Sequence, residues 1–320
     1  MSRLYAKAAA RAGGALIAIA LAAPMARAHD GRPLAPHDLW SAWEWSPAVT
    51  GPLVLLAVFY STGVRRLRAR SARGRGVRRR DALCFASGWL GLAIAVVSPL
   101  HALGGVLFSA HMAQHELLMV VAAPLLVLGR PHVACLWALP RPWRRRVGAW
   151  AIRPLVRRLW SAVTMPAVAW GIHAATLGIW HLPALYEATY VSAAIHALQH
   201  VSFLATGLLF WWALLHAGRG REGESVIYLF AATLLTGALG ALLAFAPGLW
   251  YPHYAATTGP WGLSPLEDQQ LGGIIMWVPG GGSYLLAALV LFAAWLRESE
   301  RRAQRHARHA TAGAGMWGSA

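Results

Sequence analysis

Residues 193–215 read AAIHALQHVSFLATGLLFWWALL, a stretch of 23 residues with no Asp, Glu, Lys or Arg. A helix crossing hydrocarbon needs about 20 mostly apolar residues, so this segment alone predicts a membrane span. Working outward, six further stretches of the same kind lie at 47–64, 82–100, 111–129, 160–180, 225–246 and 271–296. The connections between them are short, and no soluble domain of useful size fits in them. The expected fold is all-α: a polytopic membrane helix bundle of seven transmembrane helices over 47–296, followed by a basic cytoplasmic tail, 297–320. A composition of 57% hydrophobic and 13% charged residues excludes a disordered chain or an ordinary soluble domain. Several of the 17 Trp, among them Trp45, Trp160, Trp180, Trp211, Trp212, Trp250 and Trp295, fall near predicted span ends, as expected of interfacial anchors.

The first 28 residues read as a signal peptide. Arg3, Lys7 and Arg11 make a basic start, 12–23 is an apolar run too short to span comfortably, and Ala26-Arg27-Ala28 is a small-x-small cleavage signature. Cleavage after Ala28 leaves a short exported segment, 29–46, beginning at His29; retention of the segment as an anchor is the alternative reading.

The formal net charge is +17, which by itself would suit a nucleic-acid binder. Its distribution argues otherwise. With the mature N-terminus outside, the loops after spans 1, 3 and 5 and the tail are cytoplasmic, and cytoplasmic loops collect Arg and Lys. The first loop carries Arg65, Arg66, Arg68, Arg70, Arg73, Arg75, Arg78, Arg79 and Arg80; the second carries eight Arg, the third Arg219 and Arg221, and the tail five. Of the bases beyond the leader only Arg32 lies outside. The arginines therefore mark topology and contact anionic lipid, with the N-terminus out, the C-terminus in, and no nucleic-acid partner. The two cysteines, Cys84 and Cys135, form no CxxC and offer no disulfide framework.

Histidine is distributed in the opposite sense. Of 14 His, ten (His29, His37, His101, His111, His115, His173, His181, His196, His200 and His253) fall in outer loops or outer halves of spans. Two pairs stand out. His111 and His115 open span 3, His196 and His200 open span 5, and each HxxxH spacing stacks two rings on one helix face. Both helices enter from the same side, so the pairs lie at matched depth. Met119 continues the His111–His115 face, and imidazole with thioether suits Cu(I) better than Mg²⁺ or Ca²⁺. Each feature also has a structural reading. A His pair can serve interhelical hydrogen bonding, Met119 can be core, His173 can bridge helices rather than ligate, and His181 and His253 can be interfacial loop residues. His29 becomes a ligand candidate only if cleavage frees its amine. Glu116 points away from His115 and is expected to tune a histidine or bond a neighbouring helix. Asp268, with Gln269, opens span 7, where it can cap the helix or support a histidine ligand. Gly272, Gly273 and Pro279-Gly280-Gly281-Gly282 predict a kinked, tightly packed last span.

Three blocks together resemble a known family. HMAQHELLMVVAAPLLVLGRP at 111–131, WHLPALYEATY at 180–190 leading into HALQHVSFLATGLLFWW at 196–212, and DQQLGGIIMWVPGG at 268–281 are similar to the CtaG family of assembly factors of caa3-type cytochrome c oxidase. The motif positions are His111, His115, Trp180, His181, Pro183, Tyr186, His196, His200, Asp268, Gln269, Trp277 and Pro279. The resemblance implies a multi-pass protein of the bacterial cytoplasmic membrane that acts on nascent oxidase subunits, in the copper-insertion step. The expected ligands are His111, His115, His196 and His200, with Met119, His173 or His181 as additions, and the expected activity is not enzymatic. Two other functions compete: a bis-histidine haem protein, since His on facing helices at one depth also ligates haem, and a copper or cation transporter. No HExxH or GxSxG motif supports hydrolysis.

Overall fold

The computed structural model describes residues 34–70, 76–216 and 222–317. The leader expected over 1–28, its expected cleavage point, His29, Arg32, Arg73, Arg75, Arg219 and Arg221 lie outside the described residues. Within them the chain is helical throughout, with no sheet. After a 3₁₀ turn at Pro36–Ser41 come α1 (Pro47–Arg70), α2 (Arg79–Val97) and the short α3 (Pro99–Gly104). The central helix is α4 (Phe108–Leu128). Three short helices follow, α5 (Pro131–Ala138), α6 (Arg141–Ala151) and α7 (Pro154–Val163), then α8 (Pro166–Trp180), α9 (Pro183–Val191) and α10 (Ala193–Leu215). The last two are α11 (Glu222–Ala244) and α12 (Pro265–Arg301), the latter running on to Trp317.

Six helices, α1, α2, α4, α10, α11 and α12, are long and apolar enough to cross a membrane. The fourth predicted span departs from a straight helix. It is built from α7 and α8, which meet at a 63° bend, and only as one broken span do they bring the total to seven. The cause is Pro166, which has no N–H to give the preceding turn and restricts the residue before it. On the near side of that bend, α6 and α7 bury no residue. They carry Arg144, Arg145, Arg146, Arg157 and Arg158 beside exposed Trp150, Leu155, Leu159 and Trp160, the two-sided pattern of helices that lie along a membrane surface.

Helix α4 is the core of the bundle: 61% of its apolar stretch is buried, against 22% for α1 and 28% for α11 and α12. Lipid is as apolar as leucine, so helices associate through close packing of small residues rather than hydrophobic burial. The structure uses this at several crossings, of which two are the clearest. A Cβ on Gly63 of α1 would run into the Ala134 carbonyl of α5. Between α11 and α12, a Cβ on Gly240 would come within 2.6 Å of the Gly273 carbonyl, and one on Gly273 within 2.6 Å of the Gly240 carbonyl. Of the glycines predicted to pack tightly in the last span, Gly272, Gly273 and Gly280 do so, whereas Gly281 makes only ordinary contacts and a Cβ on Gly282 would meet nothing within 4 Å. Pro279 leaves α12 continuous, because a π turn at Met276–Gly280 absorbs the missing hydrogen bond. A second π turn, Leu117–Ala122, interrupts α4.

Two of the tryptophans expected at the interface are internal. Trp180 donates from Nε1 to Ser202 Oγ (2.8 Å) and Trp211 to the Met119 carbonyl (2.9 Å), and both are buried. Indole finds its hydrogen bond inside the bundle here. Trp45 and Trp160 are exposed, as anchors are.

Candidate metal centre

Both histidine-bearing helices are started by side chains that fix their first turns. Asp268, from the beginning of α12, accepts the Phe108 and Ser109 backbone N–H groups (2.6 and 3.1 Å) and the Ser109 hydroxyl (2.5 Å). It therefore caps α4, a helix far away in sequence, rather than its own helix, which Ser264 and Glu267 cap as a reciprocal box. On α10 the cap is Ser192, whose Oγ accepts the Ile195 N–H. His111 and His196 each sit four residues into their helix, and His115 and His200 one turn deeper, by about 6 Å.

The four rings meet between the helices. Centroids of His111 and His115 are 4.3 Å apart and those of His196 and His200 4.4 Å. Across the helices, His111 lies 5.4 Å from His196 and 5.6 Å from His200, and His115 lies 5.2 Å from His200. A fifth ring, His101 of α3, completes the cluster at 5.5 Å from His196 and 5.8 Å from His200. Two trios have ligand nitrogens all within 4.8 Å of one another: His111, His115, His200 and His101, His196, His200.

Hydrogen bonding separates the rings by availability. Both nitrogens of His115 are buried without a partner, at a cost of roughly 1–3 kcal/mol for each unsatisfied polar group. His111 is held from two sides, Nε2 against Gln199 Oε1 (3.2 Å) and Nδ1 near the Gly104 carbonyl and the Tyr190 hydroxyl (both 3.3 Å). A neutral imidazole carries one proton, given either from Nε2 to Gln199 Oε1 or from Nδ1 to Gly104; the second choice leaves Nε2 for a metal in exchange for the Gln199 contact, the arrangement common among ligating histidines. Gln114 donates to the Ala95 carbonyl (2.7 Å) and lies 2.9 Å from His101 Nδ1. Burial pushes the His101 ring below the usual histidine pKa range, so it is neutral, as a ligand must be. Beneath the cluster, fully buried Phe203 lies against His115 with centroids 4.5 Å apart, and with Met119, Leu177 and Trp180 it forms an apolar floor.

The remaining predicted site residues stand elsewhere. Met119 packs in that floor. His173 bridges Thr206 Oγ1 and Tyr284 Oη at 3.1 and 3.2 Å, so both its nitrogens are used. His181 bonds the Leu177 carbonyl through Nδ1 and belongs to neither trio, though its Nε2 is buried and unpartnered. Gln269 ties down the loop before it, accepting the Trp250 N–H and donating to the Gly248 carbonyl. Glu116 has one buried carboxylate oxygen without a partner and lies against Gly280 in the π turn of α12. Sequence reasoning missed His101 as a cluster member, and missed Gln114 and Gln199. A signal for the glutamines was present: the two motifs, HMAQH and HALQH, are both HxxQH.

Residues 58–298 match the family described as cytochrome c oxidase caa3 assembly factor, Caa3_CtaG. The chain belongs to the CtaG family. All five clustered histidines fall inside the matched region, and CtaG-family assembly factors are not catalytic enzymes. Relatives described as uncharacterized proteins occur in Mycobacterium bovis and Mycobacterium tuberculosis, each 28% identical over 280 residues, and in Mycobacterium leprae, 25% identical over 286. The alignments cover 84–85% of this CtaG-family chain but 42% of each relative, so the chain spans less than half the length of the curated relatives it matches. No solved structure matches it.

Proposed function

We propose that this CtaG-family protein holds a copper ion in the histidine cluster and hands it to nascent cytochrome c oxidase subunits. The observation that carries the reading is His115, buried with two free ring nitrogens beside His111 and His200. A buried imidazole with no protein partner is costly unless something else completes it, and imidazole ligates Cu, Zn, Fe and Ni. Among these, copper follows from membership in a family that assembles a copper-containing oxidase.

One feature favours an ion over haem, and another favours storage over transport. The rings of His111 and His196 stack face to face, 21° from parallel at 5.4 Å. A bis-imidazole haem instead needs ring nitrogens aimed at each other across a macrocycle, and the packed rings leave no slot for one. The floor built by Phe203, Met119, Leu177 and Trp180 argues against a conducting path: an ion enters and leaves at the same end. That end is the exported side in this reading, because α4 runs from its histidines toward Arg130, just past its C-terminus, where Arg130 meets the Gly76 carbonyl between the arginine-bearing ends of α1 and α2, opposite the histidines.

The test is complementation in a bacterium whose caa3-type oxidase needs such a factor. Wild-type protein restores oxidase activity, and His115→Ala with His200→Ala fails to, at equal amounts of protein in the membrane. Full restoration by the double variant would sink the reading.

A further inference from the structure

The two trios are not alternatives for one site, because they differ in place and share one member. His101 sits in the connection between α2 and α4 and is only half-buried, whereas His111 and His115 are almost wholly inaccessible. The His101, His196, His200 trio therefore forms the rim, and the His111, His115, His200 trio the depth. His200 belongs to both. A neutral imidazole offers one lone pair at a time, so both trios cannot be filled completely at once.

We propose that the cluster is a two-position relay for a single Cu(I) ion, in which His200 exchanges the ion between a rim position completed by His101 and His196 and a deep position completed by His111 and His115. This rests on the copper reading above. The exchange changes no oxidation state: His196 and His101 leave the ion as His111 and His115 replace them, and His200 stays bound.

The rim is half-formed. His196 and His200 hold their Nε2 atoms 3.2 Å apart, close to the ~3.3 Å separation of two ligands around a tetrahedral ion with bonds of about 2.0 Å. The third rim ligand is weakened, because the Gln114 amide engages His101 Nδ1, and His101 ligates only when that amide releases it. The deep position is stronger at His115, which gives up no hydrogen bond to bind, while His111 exchanges its Gln199 contact for the ion. A rim that holds loosely beside a depth that holds tightly suits capture followed by storage. It also makes the rim the place from which a partner's ligands can take the ion.

The experiment uses the full chain in detergent, loaded anaerobically with Cu(I) and challenged with bathocuproine disulfonate. Wild type binds one equivalent. His101→Ala, and His101→Asn as a milder variant, still bind one at equilibrium, but load and release it about tenfold more slowly or worse. His115→Ala retains a rim-bound ion that the chelator removes at least about tenfold faster. His200→Ala loses both positions. Wild-type exchange rates in both monodisperse His101 variants, or two equivalents bound at once in wild type, would overturn the relay while leaving copper binding intact. No copper on wild type would instead overturn the underlying copper reading.

Discussion

The Nε2 atoms of His196 and His200 stand 3.2 Å apart on successive turns of one helix. Two neutral rings at that separation share one hydrogen bond at best, and their other partners are also imidazoles. Copper binding should therefore stabilise the fold. With free Cu(I) at a hundredfold excess over its dissociation constant the gain is about 2.7 kcal/mol. Thermal unfolding in detergent should show a higher Tm for loaded wild type and no shift for His115→Ala plus His200→Ala.

His173 provides the contrasting case. Its nitrogens bridge Thr206 and Tyr284 across three helices, so its role is to join α8, α10 and α12. His173→Ala should cost roughly 1–3 kcal/mol of stability through the partners left unpaired, with copper content unchanged. Loss of copper from a stably folded variant would make His173 part of the metal site.

Asp268 controls the start of α4 from the far end of the sequence. Asp268→Ala removes a cap and strands two backbone N–H groups and a hydroxyl in a buried place, which should cost about 2–4 kcal/mol. Since the cap lies three residues before His111, copper affinity should fall together with stability. Asn, which keeps one acceptor oxygen, should recover part of both.

The α11–α12 crossing depends on the absence of side chains at Gly240 and Gly273. Gly240→Val should lower stability by about 1–3 kcal/mol or prevent assembly of the bundle. Gly282, whose Cβ would meet nothing within 4 Å, should accept Ala with little effect, and parallel thermal melts of the two variants make the comparison.

The arginine pattern predicts which end faces which compartment. In a background with Cys84 and Cys135 replaced by Ser, Trp40→Cys should react with a membrane-impermeant maleimide in intact cells, and Ala303→Cys only in inverted vesicles. Both positions are exposed. The reverse labelling would place the histidines at the cytoplasmic face.

Much of this architecture was legible in the sequence because membrane spans are written in length and charge alone. The matched depth of the two His pairs was legible too, since helix periodicity fixes where residues four apart must point. Less visible were features that depend on which elements meet. His101 joins the cluster only because α3 folds its connection over the start of α10, and nothing local in PLHALGG announces that. Asp268 looked like a cap for its own helix, yet Ser264 fills that role and frees the carboxylate for α4. The broken fourth span was hidden by hydropathy, which runs through Pro166 without registering that the backbone must turn there.

The most direct test of the central claim is metal analysis, with a visible spectrum, of purified full-length protein beside the His115→Ala plus His200→Ala variant. The account predicts about one copper per wild-type chain, little or none on the variant, and no Soret band on either. Equal copper on both proteins, or a haem spectrum on wild type, would contradict it.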